Sequence, residues 1–208
     1  MIIDAGFFRQ WSDKGHVYGQ CMTKSDTDLA YVNIPKNASS WTKPNLLDWG
    51  WEYYNYHEDQ IDKTFIVVLR DPVERWISGI AEYLTLYHPN FKLHEFEALD
   101  LIFERVSFDD HTDRQVNFIH GLDTDSCIFL WCDQRYRHNF SALLEEHRMM
   151  NQYYKYDYQH ISENNEHRKK FKGIFTREIL NPRYMQLVQQ YFKPDYQLIN
   201  SVNFYGSR

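Results

Sequence analysis

The chain of 208 residues lacks most of the features that announce a common chemistry. It has no surplus of positive charge. The formal net charge is −6, so there is no general basic surface for nucleic acid, and any anion site must be built locally against the overall field. The longest cationic run, HRKKFK from His167 to Lys172, reads by itself as a solvated loop. Cysteines number three and cannot all pair. Cys127 and Cys132 bound one apparent strand, CIFLWC, five residues apart and therefore on opposite faces. That spacing suits neither one metal nor one bridge, and all three are expected as thiols. No apolar run approaches the ~20 residues of a membrane helix. The N-terminal MIIDAGFFRQWSDKGH has no basic segment leading into a long apolar one. There is no internal repeat, no low-complexity stretch, no GxxxxGK[ST], no HExxH, no cysteine cluster and no EF-hand loop.

What is present is ordinary in bulk and particular in detail. Hydrophobic residues make up 43% and charged residues 25%, as in a soluble globular protein. The length favours one domain over residues 1–208. Aromatic content is 17%, enough either for a well-filled core or for a cleft that stacks on flat or sugar-like ligands. LAYVNI (Leu29–Ile34), TFIVVL (Thr64–Leu69) and CIFLWC read as strands. The second is β-branched and continuously apolar, the mark of a strand buried on both faces in a parallel sheet. Helices are expected over Pro72–Tyr87, with Val73, Trp76, Ile77, Ile80, Leu84 and Tyr87 on one face, and over Leu93–Val106, Phe140–Met150 and Arg177–Phe192. Asn151–Gly173 has no clear period and reads as a long loop. The alternation defines an α/β class with a central parallel sheet flanked by helices.

The stretch YVNIPKNASSWTK places a lysine and two serines just after a strand. A strand ending at Ile34 and a helix beginning near Ser40 would gather backbone N–H groups and a helix dipole beside Lys36, Ser39 and Ser40. That is a cradle for phosphate or sulfate. A serine-capped strand-to-helix turn explains the same residues equally well. Pro44 must then lie in the first turn or distort the helix. A second stretch, VVLRDPVERWISG, puts Arg70 at the carboxyl end of the strongest strand and Ser78 two turns into the next helix. Carboxyl ends of parallel strands share one rim, so Arg70 is expected beside the Lys36 turn, as a guanidinium fork for a second phosphate. The competing assignment is a surface pair with Asp71 or Glu74.

PKNASSW resembles the 5′-phosphosulfate loop of sulfotransferases, and RDPVERWISG resembles their 3′-phosphate motif, an Arg with a Ser eight positions on. LVQQYFKPDYQLINSVNFY is similar to the tail of carbohydrate-type members, where a Tyr-x-x-Asp-Tyr stretch is usual. The resemblance covers most of the chain from about Leu29. It implies a three-layer, P-loop NTPase-like fold and a donor, 3′-phosphoadenosine 5′-phosphosulfate (PAPS), with adenosine 3′,5′-bisphosphate (PAP) as product. It implies Lys36 on the 5′-phosphate and bridging oxygen, Asn37, Ala38, Ser39 and Ser40 around that phosphate, and Trp41 on the adenine. Arg70 and Ser78 would take the 3′-phosphate. No metal is required, because a sulfuryl group carries less charge than a phosphoryl group. FDDHTDRQVNF resembles the Asp-x-His-x-x-x-Gln segment of carbohydrate sulfotransferases, with Arg114 where Pro is common before Gln115. His111 is the candidate base, with an ordinary pKa near ~6.5, oriented by Asp110 or Asp113. Glu74, Glu82 and His88 are weaker rivals, and Lys169, Lys170 and Lys172 match the family's basic late loop poorly.

The acceptor implied is a hydroxyl-bearing glycan or small molecule. The sequons at Asn37 and Asn139 bear on compartment, because a glycan on Asn37 would obstruct the donor loop. A cytoplasmic protein of bacterial or viral origin is the expectation. Two other functions stay open: a nucleotide or small-molecule kinase, and a catalytically silent nucleotide-binding protein that would need Lys36 and Arg70 but no His111.

Overall fold

The computed structural model describes residues 17–89, 91, 96–147 and 165–206. In chain order the elements are β1 (Gln20–Thr23), β2 (Leu29–Val32), α1 (Ser39–Asp48), β3 (Glu52–Asn55), β4 (Thr64–Leu69), α2 (Pro72–Tyr87), α3 (Phe96–Arg105), β5 (Ile128–Trp131), α4 (Tyr136–Glu146), α5 (Glu166–Glu178), α6 (Pro182–Tyr191) and α7 (Lys193–Ser201). Short 3-10 turns cover Gln115–Phe118 and Thr124–Ser126. The class is α/β. Two compact units form, each from separated stretches of chain: a sheet unit of residues 17–70, 115–147 and 198–206, and a helical unit of residues 71–114 and 165–197.

In the sheet unit five strands run in the order β3-β1-β2-β4-β5. β2, β4 and β5 are parallel, while β1 is antiparallel to both β2 and β3. The sheet is therefore mixed, which corrects the expectation of a parallel one. The cause is local: only residues 24–28 separate β1 from β2, too few for a crossover, so the two must pair head to tail. Period-two alternation splits the strands between two cores. Met22, Tyr31, Ile66, Val68 and Leu130 face one way, against Trp41 and Leu46 of α1 and Tyr136, Phe140 and Leu143 of α4. Cys21, Ala30, Val32, Val67, Leu69 and Phe129 face the other, against Phe118, Ile119, Leu198 and Val202. β4 is buried from Phe65 to Leu69, as its continuous apolar run requires.

The helical unit is organised by α2. Asp71 caps it, its side chain accepting from Glu74 N–H, and Pro72 opens it. Trp76, Ile80 and Leu84 are fully buried and pack with Phe103 of α3 and Phe171 and Phe175 of α5. Tyr87, expected on this face, is 54% exposed, and Tyr83 takes the inner place at 3%. Phe103 stacks on Tyr184 of α6 with ring centroids 4.0 Å apart. The expected helix over Arg177–Phe192 is two: α5 ends at Glu178, and α6 starts afresh at Pro182 with Asn181 as its cap. The expected loop is helical from Glu166, capped by Asn165. The Tyr-rich stretch 151–160 and the expected helix ends at 93–95 and 148–150 lie outside the described residues. Among the described residues no helix is long and apolar enough to cross a membrane, and Cys21, Cys127 and Cys132 are free thiols.

Candidate functional site

The lysine turn sits in the sheet unit between β2 and α1. Lys36 (φ 70°) and Ala38 (φ 57°) both adopt left-handed backbone, uncommon for residues with a Cβ. Such conformations persist where surrounding structure over-determines them. Here the surrounding structure is identifiable. The Asn37 side chain is wholly buried, and its amide donates to Val68 O (2.7 Å) and to Gln115 Oε1 (2.6 Å). Gln115 brackets the end of β4 as well: its Oε1 accepts from Arg70 N–H (3.0 Å) and its Nε2 donates to Arg70 O (2.9 Å). One glutamine thus fastens the lysine turn to the arginine-bearing strand end. The Arg70 guanidinium completes the link, donating through Nη1 to Lys36 O at 3.2 Å.

The expected proximity of Lys36 and Arg70 is observed. Helix α1 begins behind Ala38, which has no side chain to cap the first turn, so the positive end of the helix opens at this turn without a side-chain cap. Ser39 is half-buried and Ser40 exposed. Together these groups gather at one compact turn. One expectation, for Trp41, needs correction, and the geometry adds to two others. Asn37 acts through its side chain as an internal fastener, and a buried amide so engaged has no room for a glycan. Trp41 is 4% exposed, edge-on to Tyr136 and Phe140, so the core claims the ring that was to stack on adenine. Pro44 is the sixth residue of α1, beyond its first turn, and leaves the Ser40 carbonyl without its usual helical donor.

The histidine loop sits in the helical unit. Residues 108–112 are tied into a tight turn by Thr112, whose hydroxyl accepts from Phe108 N–H (2.8 Å) and Asp109 N–H (3.0 Å). His111 Nδ1 lies 2.9 Å from both Asp109 Oδ2 and Asp110 Oδ1. Burial alone would lower the imidazole pKa, but hydrogen bonds and charge from Asp109 and Asp110 prevail and raise it to about 9. His111 is therefore an imidazolium at neutral pH, which corrects the ordinary value expected for it. Its orienting partners are Asp109 and Asp110. Asp113 instead accepts from Arg114 N–H and the Tyr191 hydroxyl.

Beneath this loop lies Arg75 of α2, wholly buried and donating to the backbone carbonyls of Asp113 and of Asp110 (3.1 Å). Burial lowers its pKa, against the opposing pull of Asp195, Asp113, Asp110 and Asp109. Gly79, one helical turn on, meets the loop directly: a Cβ there would stand 2.1 Å from His111 O. Ser78, expected on the 3′-phosphate, is 4% exposed in the same helix. Among the rival bases, Glu82 pairs with Arg168 at 3.2 Å, and burial lowers the pKa of His88. Glu74 stands in the first turn of α2. Lys169 pairs with Glu166 on α5, and Lys170 and Lys172 ride the same helix rather than a loop.

The ligating atoms of Asp109, Asp110 and His111 all lie within 4.8 Å of one another, so these three are the described residues able to hold a metal ion. A cation would have to displace the proton that the imidazole shares with both carboxylates. Gln115 is the site residue whose role sequence reasoning missed: it stands out only as the end of the His111 segment, with nothing to say that it grips Asn37 and Arg70. Comparison of the chain with protein-family models, with curated proteins and with solved structures finds no match.

Proposed function

We propose that the protein is a sulfotransferase that moves a sulfuryl group from PAPS to a hydroxyl of an acceptor, by in-line displacement. The observation that carries this reading is the bond from Arg70 to the Lys36 carbonyl across a turn fastened by Gln115. It brings a lysine, a guanidinium and an uncapped helix start to one place, without a Walker lysine or its glycines. Negative charge grows on the leaving phosphate as the sulfuryl group departs, and preplaced donors at that point lower the barrier. Lys36 fills that role, with Asn37 to Ser40 forming the turn around the phosphate. The finer fold assignment, a three-layer P-loop-like sulfotransferase domain, belongs to the same proposal.

His111 is the candidate base, and its environment sets a condition on the role. Nδ1 is taken by the two aspartates, so Nε2 must receive the acceptor proton, and it can do so only after His111 has lost its own. Transfer should therefore quicken with pH up to about 9. A kinase reading draws on the Asp109–Asp110–His111 set, which could meet magnesium. A silent nucleotide-binding protein draws on the proton that His111 keeps at neutral pH.

Thermal melts separate these readings. PAP should raise the melting temperature without magnesium, and Arg70→Ala should remove most of that rise. A shift with ATP and magnesium but none with PAP would favour the kinase. A PAP shift with no transfer at any pH, into any acceptor offered, would favour the silent protein.

A further inference from the structure

The lysine turn has a second support, in a helix that the donor reading does not use. Helix α1 begins behind Ala38, whose left-handed backbone (φ 57°) is disfavoured for a residue with a Cβ and whose side chain offers no cap. The Ala38 carbonyl accepts from Trp41 N–H (2.9 Å), from Thr42 N–H (3.0 Å) and from the Thr42 hydroxyl (3.1 Å). The two amide bonds belong to the first turn of α1. They travel with that helix and tie it to nothing else. The hydroxyl bond is different. Thr42 is wholly buried, and its Oγ1 also lies 2.7 Å from the hydroxyl of Tyr136. Thr42 has one hydroxyl proton, and it points to Ala38 O, so Tyr136 is the donor of the pair.

Two hydroxyls thus form a chain, Tyr136 O–H to Thr42 Oγ1 and Thr42 O–H to Ala38 O, from the first residue of α4 to the left-handed residue of the turn. By itself the Thr42 bond is the ordinary back-bond of a helical threonine. Thr85 and Thr176 make the same bond to Ala81 O and Lys172 O. The second partner sets Thr42 apart. Tyr136 is 2% exposed in an apolar core, where a hydroxyl must be matched and a phenylalanine would fill the same space, as Phe140 does one turn on. Its ring stands edge-on to Trp41 at 5.9 Å, so ring and hydroxyl both bear on the first turn of α1. Gln115, which fastens Asn37, opens the turn that carries Phe118 into the core on one face of the sheet, and Tyr136 belongs to the core on the other.

We propose that Tyr136 is a positioning residue: through Thr42 it holds Ala38, and with it Lys36 and the N–H groups of Ser39 and Ser40, in the shape that receives an anion. Only the identity of that anion, the donor's phosphate, rests on the sulfuryl-transfer reading.

The test is hydrogen exchange over residues 34–42, read by mass spectrometry on the full chain without ligand, beside calorimetric titration with PAP. Thr42→Val and Tyr136→Phe keep shape and remove one hydroxyl each. Each should speed exchange in the turn about fivefold and weaken PAP by about the same factor. Thr42→Ser keeps the hydroxyl and should stay close to the parent in both readings. Thr42→Val combined with Tyr136→Phe should be no worse than Thr42→Val alone, because the two bonds are one chain. Thr85→Val removes a back-bond of the same kind in α2 and should change neither reading. Exchange in the turn that is unchanged in both single variants overturns the proposal. Faster exchange with undiminished PAP affinity overturns it too, since Tyr136 would then serve stability alone. Faster exchange in a protein indifferent to PAP would uphold the support from α4 and remove the donor reading alone.

Discussion

The two loops that carry the candidate chemistry are held by opposite means. The lysine turn is fixed by neutral groups: an asparagine and a glutamine amide pin it to backbone, and the Arg70 guanidinium donates to the Lys36 carbonyl. The histidine loop is fixed by charge, with an imidazolium between two aspartates above a buried arginine. The first gathers a lysine, a guanidinium and a helix start at one turn, the place where the proposed donor would bring its anion. The second is close to electrically closed, and suits the keeping of a proton. The difference teaches that one loop should respond chiefly to ligand and the other chiefly to pH.

Breaking the charged arrangement should have the largest effect. Arg75→Met keeps bulk and removes the buried guanidinium, leaving the backbone carbonyls of Asp110 and Asp113 without their donor and the acidic loop without the positive charge beneath it. Loss of one member of a buried ionic set costs about 3–5 kcal/mol. The variant should melt far below the parent, as read by denaturant or thermal unfolding. A change within about 0.5 kcal/mol, the range of ordinary surface substitutions, would mean that Arg75 holds nothing.

The neutral arrangement should fail more gently and more selectively. Gln115→Ala removes one group that serves both Asn37 and Arg70, at an expected cost of about 1–3 kcal/mol for the buried donors and acceptors left unpaired. Its sharper signature is functional: the PAP-induced rise in melting temperature should shrink more than for Tyr53→Ala, which touches neither partner. An intact PAP response in Gln115→Ala would show that the turn keeps its shape unaided.

The same contrast explains what could be read from sequence. β4 and α2 were legible because their causes are local: a β-branched apolar run, and a cap with proline behind it. The proximity of Lys36 and Arg70 was legible too, since both follow parallel strands. β1 and β3 escaped notice because QCMT and EYYN are short and carry no alternation, and become strands only by pairing with each other and with β2. Trp41 was misjudged because Tyr136 and Phe140, which enclose it, arrive much later in the chain. The proton on His111 was misjudged for a smaller reason. Three adjacent residues, Asp109, Asp110 and His111, fold into a turn tight enough for both carboxylates to reach one nitrogen, and sequence order alone does not announce a turn.

The smallest expected effect is also the one that most sharpens the comparison. A folded-state pKa of about 9 against an unfolded value near ~6.5 means that His111 contributes stability in full below pH 6.5 and loses it as pH rises through about 9. Asp110 runs the other way. Burial opposes its ionisation, but His111 and Arg75 hold its pKa below the ordinary value, so its contribution is present above pH 4 and fails in acid. Melting temperature should therefore fall between pH 6.5 and 9 in the parent, and fall less in His111→Asn, which keeps a hydrogen bond and loses the charge. Over that same interval transfer should rise in the parent if His111 is the base, because the proton that stabilises the loop is the one that blocks catalysis. Melting curves of the two proteins that run parallel from pH 6.5 to 9 would show that the aspartates do not hold the proton. A rate already level at pH 7 would remove His111 from the reaction while leaving its part in the fold untouched.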